Sequence, residues 1–344
     1  MKVSTVRGAG RTIAHRADPE AYSLYLQGRH SWHQLNPPAL RRAIEYFEQA
    51  IQRDGSYAPA HVGLADAYYF LGLFESLAPR EAYEKGAPAA RRALDLDPHL
   101  AEAHAAAGNF KFSYEWDWAG AERHYQRAIE LNPNSSLIRW HYGIYLGNLG
   151  RFDESLKQLE MGRSLDPLWV APHQSLGYFS FVEGRYEESA AHHQAALRLD
   201  PHYPLALVTS AFLQLHFGRG EEALADARRA VAVTGGTSVY AGFLGAMCAM
   251  SGRSQEAIDI ARDIERRGLT AYVSRSALAW VYTALGQTER ALECLGAAYE
   301  QRDSMLLSLP VFPVWDPIRN SDGFRNIFDR MKFPLAGRGP RVAP

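Results

Sequence analysis

Apolar and polar residues along this chain recur with the period of amphipathic helices. Leu278, Val281, Tyr282 and Leu285 stand at i, i+3, i+4 and i+7, one apolar helical face. No stretch shows the strict two-residue alternation of a half-buried strand. Between helical runs the text repeats: "NLGRFDES", "VEGRYEES", "HFGRGEEA", "MSGRSQEA", "ALGQTERA", with glycine at 150, 184, 218, 252 and 286, a constant step of 34. Each glycine follows an apolar-rich run, where it ends a helix by entering the left-handed conformation cheaply. After it come acids, which the positive end of a new helix favours. Prolines at 98, 133, 167 and 201 close "ALDLDP", "AIELNP", "RSLDP" and "LRLDP", where a helix cannot continue. The pattern therefore predicts helix, glycine turn, helix, proline stop, again and again.

Small residues keep the same rhythm. One series is Gly108, Gly143, Gly177, Ala211, Gly245 and Ala279; another is Ala121, Ser155, Ser189, Ala223, Ala257 and Ala291. They predict close approach of the paired helices. A fixed period of this length marks a solenoid and overrides the two-domain expectation that 344 residues would otherwise carry.

The rest of the composition narrows the function. A hydrophobic content of 47% supplies a core, and a net charge of −1 argues against a chain that coats nucleic acid or anionic membrane. There is no apolar run long enough for a membrane span, and the basic start "MKVSTVRGAGRTIAHR" has no apolar block of a secretion signal. Cys248 and Cys294 are the only cysteines, so a disulfide framework is not expected and the reading is cytoplasmic. Asn134-Ser135-Ser136 is then a chance match to a glycosylation acceptor. "RGAG" is no phosphate loop, because no Gly-Lys-Ser/Thr follows it.

These units resemble tetratricopeptide repeats. "GNFKFSYEWDWAGAERHYQRAIELNP" carries the family's small eighth residue, Ala at twenty, an aromatic at twenty-four, Ala at twenty-seven and Pro at thirty-two as Gly108, Ala121, Tyr125, Ala128 and Pro133. "ALRRAIEYFEQAIQRD" matches with Ala43, Phe47 and Ala50. Eighth positions at Gly28, Ala65, Gly108, Gly143, Gly177, Ala211, Gly245 and Ala279 count eight units. The first two steps are longer, with extra residues in "NPP" and "FESLAPREA", and Gly235 replaces the proline of the sixth unit. The resemblance implies an all-α, right-handed α-solenoid of about eight helix pairs over 18–303, making about one superhelical turn.

Residues 1–17 are expected to form a flexible basic leader and 335–344 a frayed tail. Residues 304–334, with Pro310, Pro313 and Pro317 and then Phe324, Ile327, Phe328 and Met331 on one face, are expected to be an irregular segment plus a helix that caps the last repeat. "DPEAYSLYLQGRHSWHQ" and "VWDPIRNSDGFRNIFDRM" are similar to the opening and closing of repeat arrays in bacterial multidomain signalling proteins, where a DNA-binding, cyclase or kinase domain precedes the array. No such domain is recognisable here.

Chemistry finds little support. His192 and His193 diverge on a helix, His173 and His193 lack a third ligand, and no H-E-x-x-H occurs. The cysteines lack a histidine partner. No metal, cofactor or enzymatic activity is expected; a metal-dependent helical-repeat enzyme around His173 and His193 is the least favoured alternative.

In the family, the first helix of each pair lines the inside of the superhelix. Transferred to this chain, those positions give a candidate groove: Tyr25, Arg29, Trp32, Asp66, Tyr69, Asn109, Phe112, Trp140, His141, Asn148, Gln174, Tyr178, Phe181, Phe212, His216, Arg275 and Trp280. Aromatic residues and arginine are what binding hot spots are made of. The resemblance implies an interaction scaffold or sensor arm that holds a protein or peptide segment there, with homo-oligomers through the solenoid ends as a further expectation. A carboxylate clamp of the chaperone-binding members is not expected, since Ala105 and His141 stand beside Asn109 where a lysine and an asparagine are wanted. The alternative is a regulatory sensor of a small ligand.

Overall fold

The computed structural model describes residues 18–334; the leader and tail expectations lie outside them. The array is α1 (Pro19–Trp32), α2 (Pro37–Arg53), α3 (Ala58–Leu73), α4 (Pro79–Leu96), α5 (Ala101–Phe110), α6 (Trp118–Leu131), α7 (Ser136–Asn148), α8 (Phe152–Leu165), α9 (Val170–Val182), α10 (Tyr186–Leu199), α11 (Pro204–His216), α12 (Gly220–Val233), α13 (Ser238–Met250), α14 (Ser254–Arg267), α15 (Arg275–Ala284) and α16 (Thr288–Glu300). Two short 3₁₀ turns follow, Ser304–Ser308 and Pro313–Trp315, and then α17 (Asp322–Met331). Odd helices pack against their even partners and against the next pair. The protein is an all-α solenoid of eight helix pairs plus α17.

The markers do what the pattern predicts. Gly184 has φ +80°, and its four equivalents in the 34-residue series are also left-handed. At Gly177 an added Cβ would stand 2.2 Å from the His193 ring, so the small residue is what lets α9 and α10 meet. His193 here fills the place that Phe47 takes against Gly28 and Tyr125 takes against Gly108. That is its role: it is buried, and its Nδ1 lies 2.7 Å from the Ser189 carbonyl.

One feature was hidden in the arithmetic of the repeat. From Gly108 to Gly143 the chain has one residue more than its usual step. The surplus is absorbed as a π-helical turn, Lys111–Glu115, at the end of α5, closed by Trp116 in the left-handed conformation at φ 57°. A π-bulge is the standard result of one inserted helical residue.

The superhelix returns on itself. Glu75, in the insertion between α3 and α4 and itself left-handed at φ 57°, reaches the start of α13. Its carboxylate accepts from Ser238 N (2.7 Å), Ser238 Oγ (2.7 Å) and Val239 N (2.9 Å). Thus a carboxylate from the second unit caps the positive end of a helix in the seventh. The C-terminal segment closes the same seam. Trp118 Nε1 donates to the Met331 carbonyl at 3.0 Å, the Trp118 and Phe333 rings stack, and the Arg302 guanidinium lies 3.9 Å from the Trp116 ring centroid.

Candidate functional site

The ninth position of successive units forms an inner row: Arg29, Asp66, Asn109, Ile144, Tyr178, Phe212, Ala246 and Trp280. It is polar in the first three units and largely apolar afterwards. The structure treats the two ends differently.

The apolar end is filled by the chain itself. Phe312, 3% exposed, places its ring 6.2 Å from Tyr178, 5.1 Å from Phe212, 6.0 Å from Phe243 and 6.0 Å from Trp280. Its socket thus draws on four consecutive units. Phe243 and Trp280 stack beneath it, and Trp315 sits against Trp280. Leu306, Leu309, Val311 and Ile318 are buried alongside. Buried Arg319 holds the loop in shape. It donates to the Leu309 carbonyl at 2.6 Å, the Phe312 carbonyl at 2.9 Å and Asp316 Oδ1 at 2.8 Å. Residues 304–319 therefore serve as an internal core. Of the candidate groove residues, Tyr178, Phe212 and Trp280 lie under this segment, and Phe181 packs between Phe212 and Tyr186. His216 is exposed and stacked on Tyr186 at 3.6 Å. Arg275 is half-buried, with a buried Nε that has no partner.

At the polar end no segment among the described residues takes that place. Tyr25 packs edge-on against Tyr57, and the half-buried Arg29 lies over Trp32, which is buried against Phe70. Asp66 is 6% exposed, and among the described residues no hydrogen bond or ion pair reaches its carboxylate. Burial pushes it up to about 7; Arg29 opposes the rise and Glu102 adds to it. Tyr69 stands between the rings of Phe110 and His141. Asn109 is fixed at both ends of its amide. Its Oδ1 accepts from the Tyr125 hydroxyl at 2.9 Å, so its Nδ2 faces His141 Nδ1 at 3.2 Å. That assigns the His141 proton to Nε2. Nε2 is buried and has no partner, and burial pushes the ring down to about 3, so it is neutral. Trp140 donates from Nε1 to Ser175 Oγ at 2.9 Å and packs on Trp169, while Gln174 is buried beside Ser175.

Two candidates leave this neighbourhood. Phe112, in the π turn, is buried against Trp118 and Tyr145. Asn148 bonds back to the Ile144 carbonyl of its own helix. One residue was missed: Glu102, at the second position of the third unit, an inward position by the same rule that selected the others. Its charge acts on both Tyr25 and Asp66.

Among the described residues no three His, Cys, Asp or Glu side chains converge to hold a metal, and no helix is long and apolar enough to cross a membrane. Both cysteines are free, and burial pushes each thiol up to about 11.

No family model matches the chain. It is similar to the TPR repeat-containing protein YpiA of Bacillus subtilis, 24% identical over 300 residues, covering 76% of this chain and 69% of YpiA. It is also similar to the transcriptional regulator HilA of Salmonella typhimurium, 24% identical over 148 residues, 43% of this chain and 27% of HilA. Among solved structures, a monomeric mutant of IFIT1 with Gppp-AAAA superposes with a TM-score of 0.65 at 14% identity, over 91% of this chain and 71% of that one. At that identity the likeness speaks to the fold alone. A 34-residue helix pair, its small eighth residue set against a bulky twenty-fourth, is the tetratricopeptide unit, and this chain is similar to tetratricopeptide-repeat proteins in sequence and in fold.

Proposed function

We propose that the protein is a non-enzymatic interaction scaffold that holds a segment of a partner protein on the inner face of its first four units. One observation carries this reading. Among the described residues Phe312 and its neighbours fill the apolar end of the inner face, while at the other end the buried Asp66 carboxylate and the buried His141 Nε2 have no hydrogen-bond partner. An unpaired buried polar group costs about 1–3 kcal/mol. A bound segment that supplies the missing partners recovers that cost. Tyr25, Arg29, Tyr69, Trp140 and Gln174 would flank it, with the ring faces and the arginine that interface hot spots favour.

The test is capture from host lysate by the full chain, wild type beside a Tyr69→Ala/Trp140→Ala variant checked for an unchanged helical spectrum. A protein held by the wild type and lost by the variant supports the reading. One held equally by both moves the site elsewhere.

A second reading takes its support from the likeness to a transcriptional regulator and from the closed seam at Glu75. In it the array is the sensing arm of a regulator, and the interior receives a small ligand. A melting shift with a metabolite panel, and none with peptides, is the outcome that would favour it.

A further inference from the structure

The polar end of the inner face has a charge as well as a shape. Inward positions of α3 and α5 carry the carboxylates of Asp66 and Glu102, whose charges, with that of the Arg29 guanidinium, act on the Tyr25 hydroxyl; Glu102 Oε1 itself accepts from Asn132 Nδ2 at 3.3 Å. The guanidinium is committed elsewhere: it lies 5.0 Å over Trp32 and 3.5 Å from His33 Nε2, and it forms no ion pair with Asp66. His141 contributes no charge. The balance is one negative charge too many, in a setting with the Tyr25 and Tyr69 rings beside it. A carboxylate pressed among aromatic faces suits a cation, which the ring faces attract as well. An anionic side chain would meet Asp66 and Glu102 at close range and be repelled.

We propose that this site receives a lysine or arginine side chain of a bound peptide segment, with the cationic group between Asp66 and Glu102. The proposal rests on the scaffold reading and deepens it. The second observation behind it is the isolation of Asp66, nine-tenths buried with no donor at bonding distance among the described residues. A partner's ammonium or guanidinium supplies that donor.

A linkage follows. The charged groups facing Asp66 are Arg29 on α1 and Glu102 on α5; the Tyr25 and Tyr69 hydroxyls stand near it, and the neutral His141 on α7 faces Tyr69. The cation binds ionised Asp66, while protons compete for the same carboxylate. With that carboxyl pushed up to about 7, affinity for a cationic peptide falls about tenfold from pH 8 to pH 6.

The experiment is selection of a displayed library of random dodecapeptides on the full-length chain at pH 8, followed by affinity measurement on representative peptides. The expected result is enrichment of lysine and arginine. Kd should rise at least tenfold when the peptide's basic residue becomes norleucine, and again for Asp66→Asn. The wild type should show the tenfold pH dependence and Asp66→Asn none. Glu102→Gln, at a half-buried position, serves as the second variant should Asp66→Asn fail to fold, with a several-fold loss expected.

Cationic peptides bound equally by the wild type and these variants overturn the proposal. So does an equal affinity for acetyl-lysine amide, which would assign the site to a small amine. Peptides selected without basic residues, yet lost on Tyr69→Ala/Trp140→Ala, overturn the cation while the scaffold stands. An empty selection together with an empty lysate capture sinks both.

Discussion

The two ends of the inner face are built from the same helix positions and end in opposite states. In units five to eight, position nine offers Tyr178, Phe212 and Trp280, and the chain covers them with its own Phe312. In units one to three it offers Arg29, Asp66 and Asn109, and among the described residues no segment covers them. An apolar lining is stabilised by any apolar filler, because hydrophobic burial is non-directional. A polar lining is stabilised only by groups of matching charge and geometry. On the proposed reading, the solenoid thus uses one scaffold both for a permanent core and for a site that asks for a specific guest.

The largest way to break the comparison is to empty the filled end. Phe312→Ala removes a buried ring from a four-unit socket and should cost about 3–5 kcal/mol, read by denaturant unfolding. An unchanged midpoint would mean that the segment only lies over the groove.

The next effect is electrostatic. The Asp66 carboxyl is raised in the folded state, so ionisation opposes folding. The penalty is absent below the unfolded value, grows as pH rises, and is fully present above about 7. Asp66→Asn should therefore stabilise the protein at pH 8, by an amount on the order of 3 kcal/mol, and hardly at all at pH 4. Melting curves at the two pH values decide it. Glu75, pushed up to about 7 by burial, has the same sign, so Glu75→Gln in the same background separates the two.

A smaller effect tests the seam. Glu75→Ala removes three hydrogen bonds from the start of α13 and should cost about 1–2 kcal/mol. Hydrogen exchange at Ser238 and Val239 should quicken while the other helix starts stay unchanged. The smallest is Arg29→Ala. Half-buried and without an ion pair, Arg29 should change stability by no more than about 0.5 kcal/mol, which leaves its binding effect readable by itself.

What the sequence discloses follows the range of the interactions. The helix pairs, their glycine turns and the close approach at Gly177 depend on residues within one period, and all could be read directly. The single residue that becomes the π turn escaped because a step of 35 looks like 34 until the markers are subtracted. "LPVFPVWDP" is recognisable as an irregular segment ahead of a capping helix. Its socket is not, because Tyr178, Phe212, Phe243 and Trp280 converge only when the superhelical radius is fixed. For the same reason the inward positions identified Asp66 without revealing that its carboxylate lacks a partner. Nothing local marks Glu75, whose partners lie more than 160 residues away.

The Phe312 socket has a consequence for synthesis. Domains fold from the N-terminus as the ribosome delivers them, at about 5–20 residues per second. The socket is complete once α15 has emerged, but its occupant is made about thirty residues later and must still clear the exit tunnel. For a few seconds each nascent chain presents an open aromatic cup to the cell. That stretch of translation is thus an interval in which a chaperone, or a second nascent chain on the same message, meets a surface that Phe312 covers in the folded protein.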